Sequence, residues 1–178
     1  MERPGELLTH GPVLLRRWRA ADTDTVCDLV LGSLAHLRPW MPWAAEFGPR
    51  DAALFTEQCE QDWESGTGFG YAITSGGAAV GSCGLMARIG PGGLEIGYWV
   101  HARRVRQGLA TAAAAALVDA AFGLPGIDRV EIVHDEANVA SSGVPRKLGF
   151  TEIARRPHPD GPQTPAESGT DVVWRLTR

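Results

Sequence analysis

Residues 95 to 110 are where the types and spacing most readily support chemistry. Glu95-Ile96-Gly97-Tyr98-Trp99-Val100 has the branched and aromatic content of a strand, His101 to Gln107 reads as a turn, and a helix begins near Gly108. A strand that feeds a glycine-containing turn and a helix N-terminus presents unpaired backbone N–H groups and the positive end of the helix dipole to one spot, where an anion is stabilised. Arg103, Arg104 and Arg106 add cations beside it, which suits a ligand carrying several phosphates. The residues alone leave a second reading open, a solvated basic turn ahead of a stable helix.

Other patterns carry less. Gly66-Thr67-Gly68-Phe69-Gly70 has dinucleotide-loop spacing but lies between a helix and a strand, the wrong context for that motif. His134-Asp135-Glu136 gathers three ligand types, yet adjacent residues cannot all point at one ion and no partner ligands stand at useful spacing, so no metal is expected. Cys27, Cys59 and Cys83 are odd in number and lack C-x-x-C spacing, which argues against a disulfide framework or zinc site and fits a reducing cytosol. Cys83 reads as a small core residue rather than a reactive thiol.

The elements that must position the turn follow from periodicity. Val13 to Trp18 is strand-like, and Val26, Leu29, Val30 and Leu34 recur at helical spacing after Asp22. Pro39 and Pro42 place Trp40 and Trp43 on a helix-breaking connection. A second helix is expected from Arg50 to Ser65. Phe69–Thr74, Ala79–Met86 and Leu94–Val100 are strands separated by Gly76-Gly77 and Gly90-Pro91-Gly92-Gly93, which predicts an antiparallel meander. The alanine-rich stretch from Gly108 to Phe122, closed by Gly123 and Pro125, is a third helix. Arg129–His134 is a strand, Ser141–Leu148 a helix, and Thr151–Ile153 and Val172–Trp174 are final strands around a Pro- and Gly-rich loop from Pro157 to Gly169. The order is mixed α+β, not the strict alternation of a doubly wound sheet.

The 178 residues fit a single domain, residues 1–178. A formal net charge of −4 argues against a nucleic-acid binder. Absence of a signal-peptide core and of a membrane-length apolar run leads to the expectation of a cytoplasmic protein with no membrane partner.

At its central turn the chain resembles the GNAT acetyltransferases, whose signature is Q/R-x-x-G-x-G/A. Val105-Arg106-Gln107-Gly108-Leu109-Ala110 matches the later Gly and Ala, while Val105 replaces Gln or Arg and Arg106 stands where many members carry another glycine. Glu95–Val100, Asn138-Val139-Ala140-Ser141 and Leu148-Gly149-Phe150 look like the family's flanking units, in order. His36-Leu37-Arg38-Pro39-Trp40-Met41-Pro42-Trp43 is similar to the H-L-R-P-W-x-P-W segment of the RimJ/RimL branch, which acetylates N-terminal amines of ribosomal proteins.

That resemblance implies a mixed, mostly antiparallel sheet of about seven strands with about four helices, splayed between the fourth and fifth strands. It implies acetyl-CoA as co-substrate: the pantetheine arm on the backbone of Tyr98, Trp99 and Val100, the phosphates at Val105, Arg106, Gln107, Gly108, Leu109 and Ala110, and Asn138 against the cofactor or as a helix cap. One of Trp40 and Trp43 walls the acceptor pocket and the other is structural. Glu95, directly or through water, is the base, with His134 as competitor. The acid is Ser141, with Ser142 as neighbour, because the family's tyrosine after Asn138 is missing. The implied reaction is direct acetyl transfer to a primary amine, a protein N-terminus ahead of a polyamine, aminoglycoside or amino acid, with a non-catalytic acyl-CoA-binding module as the other class. A homodimer is compatible with the resemblance.

Overall fold

Glycines set the turns of the sheet: Gly76 and Gly77, at φ 62° and 81°, make the tight hairpin turn that favours positive φ at both central residues. The computed structural model describes residues 2–178. Its elements run β1 (Leu7–His10), β2 (Val13–Arg17), α1 (Thr23–Leu31), α2 (Leu34–Leu37), α3 (Pro49–Ser65), β3 (Gly68–Ser75), β4 (Ala78–Met86), β5 (Gly93–Val100), α4 (Leu109–Gly123), β6 (Arg129–Asp135), α5 (Val139–Lys147), β7 (Thr151–Pro157) and β8 (Thr170–Thr177). The strands form one eight-stranded sheet in the order β1-β2-β3-β4-β5-β6-β8-β7. Every neighbouring pair is antiparallel except β5 with β6.

Two elements exceed the sequence expectation. β1 is a four-residue edge strand, mostly exposed, that exists through its ladder with β2 rather than through an apolar face of its own. The first helix ends at Leu31, because Gly32 and Ser33 interrupt it, and α2 adds one separate turn before Pro39. α3 is punctuated as helices usually are: Asp51 accepts from the Gly48 N–H at 2.8 Å, Pro49 opens the first turn, and Gly66 closes the last at φ 74°.

The sheet carries a core on each side. Leu94, Ile96 and Val100 of β5 share one with α4, whose Ala112 to Ala116 are all buried and small enough to bring the helix close to the strands. Trp18, Val26, Val30, Cys59 and Ala72 belong to the other, under α1 and α3, with Trp99 packed against it.

The parallel contact between β5 and β6 is brief. It consists of Gly93↔Arg129, Leu94↔Val130 and Glu95↔Glu131, after which the strands part. β5 stays paired with β4 as far as Val100, and β6 stays paired with β8 as far as Asp135, so each flank keeps its ladder while a V-shaped gap opens between them. Gly81 lets β4 come close: a Cβ there would lie 2.3 Å from the Trp99 carbonyl oxygen.

Candidate active site

His101 N–H donates to the Val80 carbonyl across the β4–β5 ladder at 2.8 Å. In an antiparallel ladder alternate residues point their backbone groups to the same neighbour. Trp99 therefore turns its backbone to β4, while Tyr98 and Val100 turn theirs into the gap. The arm-binding role expected of three successive residues thus has backbone for two of them, and Trp99 instead offers its indole, which lines the cavity described below.

At the upper end of β5 the chain makes a short 3₁₀ turn at Ala102–Arg104 and enters α4 through Gly108 at φ 76°. Arg106 has φ 61° and is the only non-glycine residue with positive φ among those described. Left-handed backbone suits glycine best, so a large side chain held there marks a loop whose shape is imposed by its surroundings. The N–H groups from Arg106 to Thr111 have no acceptor in the protein. A run of free N–H groups at a helix start, with Arg103, Arg104 and Arg106 alongside, is suited to a polyphosphate. Val105 is extended, with its side chain turned partly to solvent. Gln107 accepts from Arg104 Nε at 3.2 Å, so both help shape the loop.

Beneath the gap lies an open cavity of about 1070 Å³. Glu95, Tyr98, Trp99 and His134 of the sheet, Asn138 and Ser141 at the start of α5, and Trp40, Trp43 and residues of α3 line it. Both tryptophans of the Pro-Trp segment therefore reach it. Trp43 is 45% exposed and packs against Phe47 and Trp99, with centroids 5.8 and 6.2 Å away.

Glu95 is buried, and both its oxygens are bound by Arg88 on the turn between β4 and β5, Nε to Oε2 at 3.0 Å and Nη2 to Oε1. His134 is differently placed. Trp174 Nε1 can only donate, at 3.0 Å to His134 Nε2, and the Asp135 carbonyl can only accept, 2.7 Å from Nδ1. These contacts suit the tautomer with hydrogen on Nδ1 and occupy the Nε2 lone pair, whereas the Glu95 carboxylate meets only the half-exposed Arg88.

α5 brings the remaining groups. Asn138 caps it, Oδ1 accepting from Ser141 N–H at 3.2 Å, and also faces the cavity. Ser142 donates to the Val139 carbonyl at 2.7 Å, an intrahelical bond that commits its hydroxyl. Ser141 Oγ lies 3.2 Å from the Tyr98 hydroxyl, which donates to the Ser141 carbonyl at 3.0 Å. Burial pushes the Tyr98 phenol up to about 12, with its bond to Ser141 opposing, so it stays protonated at neutral pH. Arg88 and the Tyr98 hydroxyl are the two features that sequence reasoning did not find. Among the described residues no group of three or more His, Cys, Asp or Glu is arranged to hold a metal ion, and no helix is long and apolar enough to cross a membrane.

The split sheet, the turn of free N–H groups at the head of α4 and a buried carboxylate beside an open cavity together form one candidate site. The chain belongs to the acetyltransferase (GNAT) domain family, which matches residues 13–151, and is an acyltransferase of that family. YdaF of Bacillus subtilis (strain 168), named provisionally as a ribosomal N-acetyltransferase, is 27% identical over 145 residues, 79% of this chain and 78% of that protein. Among solved structures, RimL, the ribosomal L7/L12 α-N-protein acetyltransferase in complex with coenzyme A, superposes with a TM-score of 0.88 at 19% identity, over 97% of this chain and 98% of that one. RimJ of Mycobacterium smegmatis, in complex with a CoA disulfide, gives 0.83 at 23% identity, over 99% and 87%.

Proposed function

We propose that the protein transfers an acetyl group from acetyl-CoA directly to a primary amine, most naturally the N-terminus of a protein such as a ribosomal protein. The observation that carries this reading is the β5–β6 gap, into which Tyr98 and Val100 turn their backbone, next to a cavity lined by Glu95, Tyr98 and Ser141. The residues fit the group: unpaired strand backbone suits an extended amide-bearing arm, and the free N–H groups of Arg106 to Thr111 suit a pyrophosphate. A hollow of about 430 Å³ beside Gly108 and Thr111, with His10 and Lys147 on its wall, has room for the nucleotide end. Both structural relatives described above were solved with coenzyme A or its disulfide.

Bound there, acetyl-CoA supplies the acetyl group and a thiolate leaving group. Glu95 takes the proton that the amine must shed, and the Ser141 hydroxyl, turning away from the Tyr98 oxygen, delivers one to the departing sulfur. The Val100 N–H polarises the carbonyl oxygen. An α-amine has a pKa of about 7.7–8.0 against about 10.4 for lysine, so a single paired carboxylate meets the demand of an N-terminus more readily than that of a side-chain amine. The breadth of the cavity, walled by Trp40, Trp43, Phe47 and the α3 face, also favours a chain end over a small amine.

Mass spectrometry of products formed with acetyl-CoA and a panel of peptides, polyamines, amino acids and aminoglycosides tests this. The expected result is one added acetyl group on peptide N-termini and a fall in kcat of about 100-fold in Glu95→Gln, the scale of a lost general base. Coenzyme A binding without transfer to any amine would identify a binding module instead.

A further inference from the structure

We propose that Arg88 is a removable counter-ion for Glu95, displaced from the carboxylate by the ammonium of the arriving acceptor. This rests on the amine-acceptor reading above and adds a residue that selects the charge of the acceptor.

The two partners are unequally free. The Glu95 side chain is only 11% exposed, and its strand is held between Met86 of β4 and Glu131 of β6. The carboxylate cannot withdraw. Arg88 is 61% exposed on a turn, so its guanidinium can swing into water without leaving a buried cation behind.

Among the described residues Glu95 has no ion-pair partner besides Arg88; Arg156 and His158 line the same cavity, and Arg156 lies 3.9 Å from Asp171. From β6, Glu131 occupies the neighbouring register and is held by Arg175 of β8, Nε to Oε1 at 2.9 Å. From α3, Asp62 lines the same cavity and accepts from Gln58 and Thr67. His134 further along β6 has both ring nitrogens engaged. Arg88 is thus the cation that balances this buried carboxylate, and its departure leaves a buried charge that another cation must meet. An ammonium can replace the guanidinium because the exchange leaves the buried charge balanced, whereas a neutral alcohol of the same shape cannot. The site thereby favours amines by charge before any chemistry begins.

The test uses the full chain saturated with coenzyme A, which lacks an acyl group, so binding is measured without turnover. The probes are a short peptide amide with a free amine and its analogue with hydroxyl in place of that amine, titrated calorimetrically into the wild type, Arg88→Gln, Arg88→Lys, Glu95→Gln and the double variant Arg88→Gln/Glu95→Gln. Arg88→Gln should tighten the amine by about 5-fold, the scale of one partly exposed ion pair, and leave the hydroxyl analogue unchanged. Arg88→Lys should fall between, and in the Glu95→Gln background the Arg88 change should have no effect.

An unchanged or weakened amine in Arg88→Gln, or an equal gain for the hydroxyl analogue, overturns the proposal. If amines are acetylated but their binding ignores Arg88, only this inference fails. If the amine binds neither the wild type nor the variants, the proposal and the amine-acceptor reading fall together.

Discussion

Asp135 shows how much one carboxylate at a strand end can organise. Its Oδ1 accepts from Ala137 N–H at 2.8 Å and Ser168 N–H at 2.9 Å, and its Oδ2 from Gly169 N–H at 2.9 Å, which ties the end of β6 to the long loop beside the cavity. Burial pushes this carboxyl up, but the Ser168, Ala137 and Gly169 N–H groups together bring it below the usual carboxylate range. A group whose folded pKa is depressed contributes stability above its unfolded value, near 3.9, and loses it as pH falls through the lowered folded value. Asp135→Asn should therefore cost about 1–2 kcal/mol in urea unfolding at neutral pH, with the gap to wild type closing in strong acid; a gap independent of pH would show that charge is not its source. Arg106 offers a second single-residue test. Its φ of 61° carries strain of about 1 kcal/mol that glycine would relieve while losing a similar amount to chain entropy. Arg106→Gly should thus leave stability nearly unchanged and Arg106→Val should lower it by about 1–2 kcal/mol. If backbone N–H groups bind the pyrophosphate, coenzyme A affinity in Arg106→Gly should fall only modestly; a large loss would assign the binding to the guanidinium.

β4 and β5 approach each other through Gly81, where an added Cβ would meet the Trp99 carbonyl oxygen at 2.3 Å and the Val100 Cα at 2.9 Å. Both neighbours are backbone and cannot yield as a side-chain tip can, so Gly81→Ala should destabilise by about 2 kcal/mol. It should also disturb coenzyme A binding, because β5 is the strand that faces the gap. Thermal unfolding with and without coenzyme A measures both effects, and a variant as stable as wild type would show that β5 can shift freely. This requirement was not legible in the sequence: Gly81 reads as one glycine in an apolar run, and only the register with Trp99 gives it a partner. Other elements were legible because their signals are local. Alanine propensity with a Gly and Pro stop marks α4, and the Gly76-Gly77 pair marks the β3–β4 hairpin. β1 escaped because a four-residue exposed edge carries no periodic face. In the site, the turn at Val105–Ala110 announced itself through residue types clustered in sequence. The Arg88–Glu95 pair and the contact between Tyr98 and Ser141, 43 residues apart, depend on tertiary placement. The commitment of the His134 lone pair to Trp174 has the same non-local origin.

The molecule is two partial sheets, β1 to β5 and β6 to β8, joined in the sheet by only three register pairs. α4 bridges them, since it packs on β1, β2, β4, β5 and β6, and the gap between the halves is where a ligand can add hydrogen bonds to both. A coenzyme that fills the gap and also binds the turn at the head of α4 should stabilise the whole fold by mass action, by about 2.7 kcal/mol at 100 times its Kd. For a chain of this size that corresponds to a rise in Tm of about 5–10 °C. Part of the gain should fade with added salt, because the contribution of Arg103, Arg104 and Arg106 to a phosphate ligand is screened. Hydrogen exchange separates the contributions of gap and turn. Occupation of the gap should slow exchange at Tyr98 and Val100, whose amides lack a strand partner, as well as at the turn from Arg106 to Thr111. A rise in Tm with protection confined to the turn would mean that the nucleotide end alone is bound, and that the gap is held open by the packing of α4 and α5 rather than shaped for an extended arm.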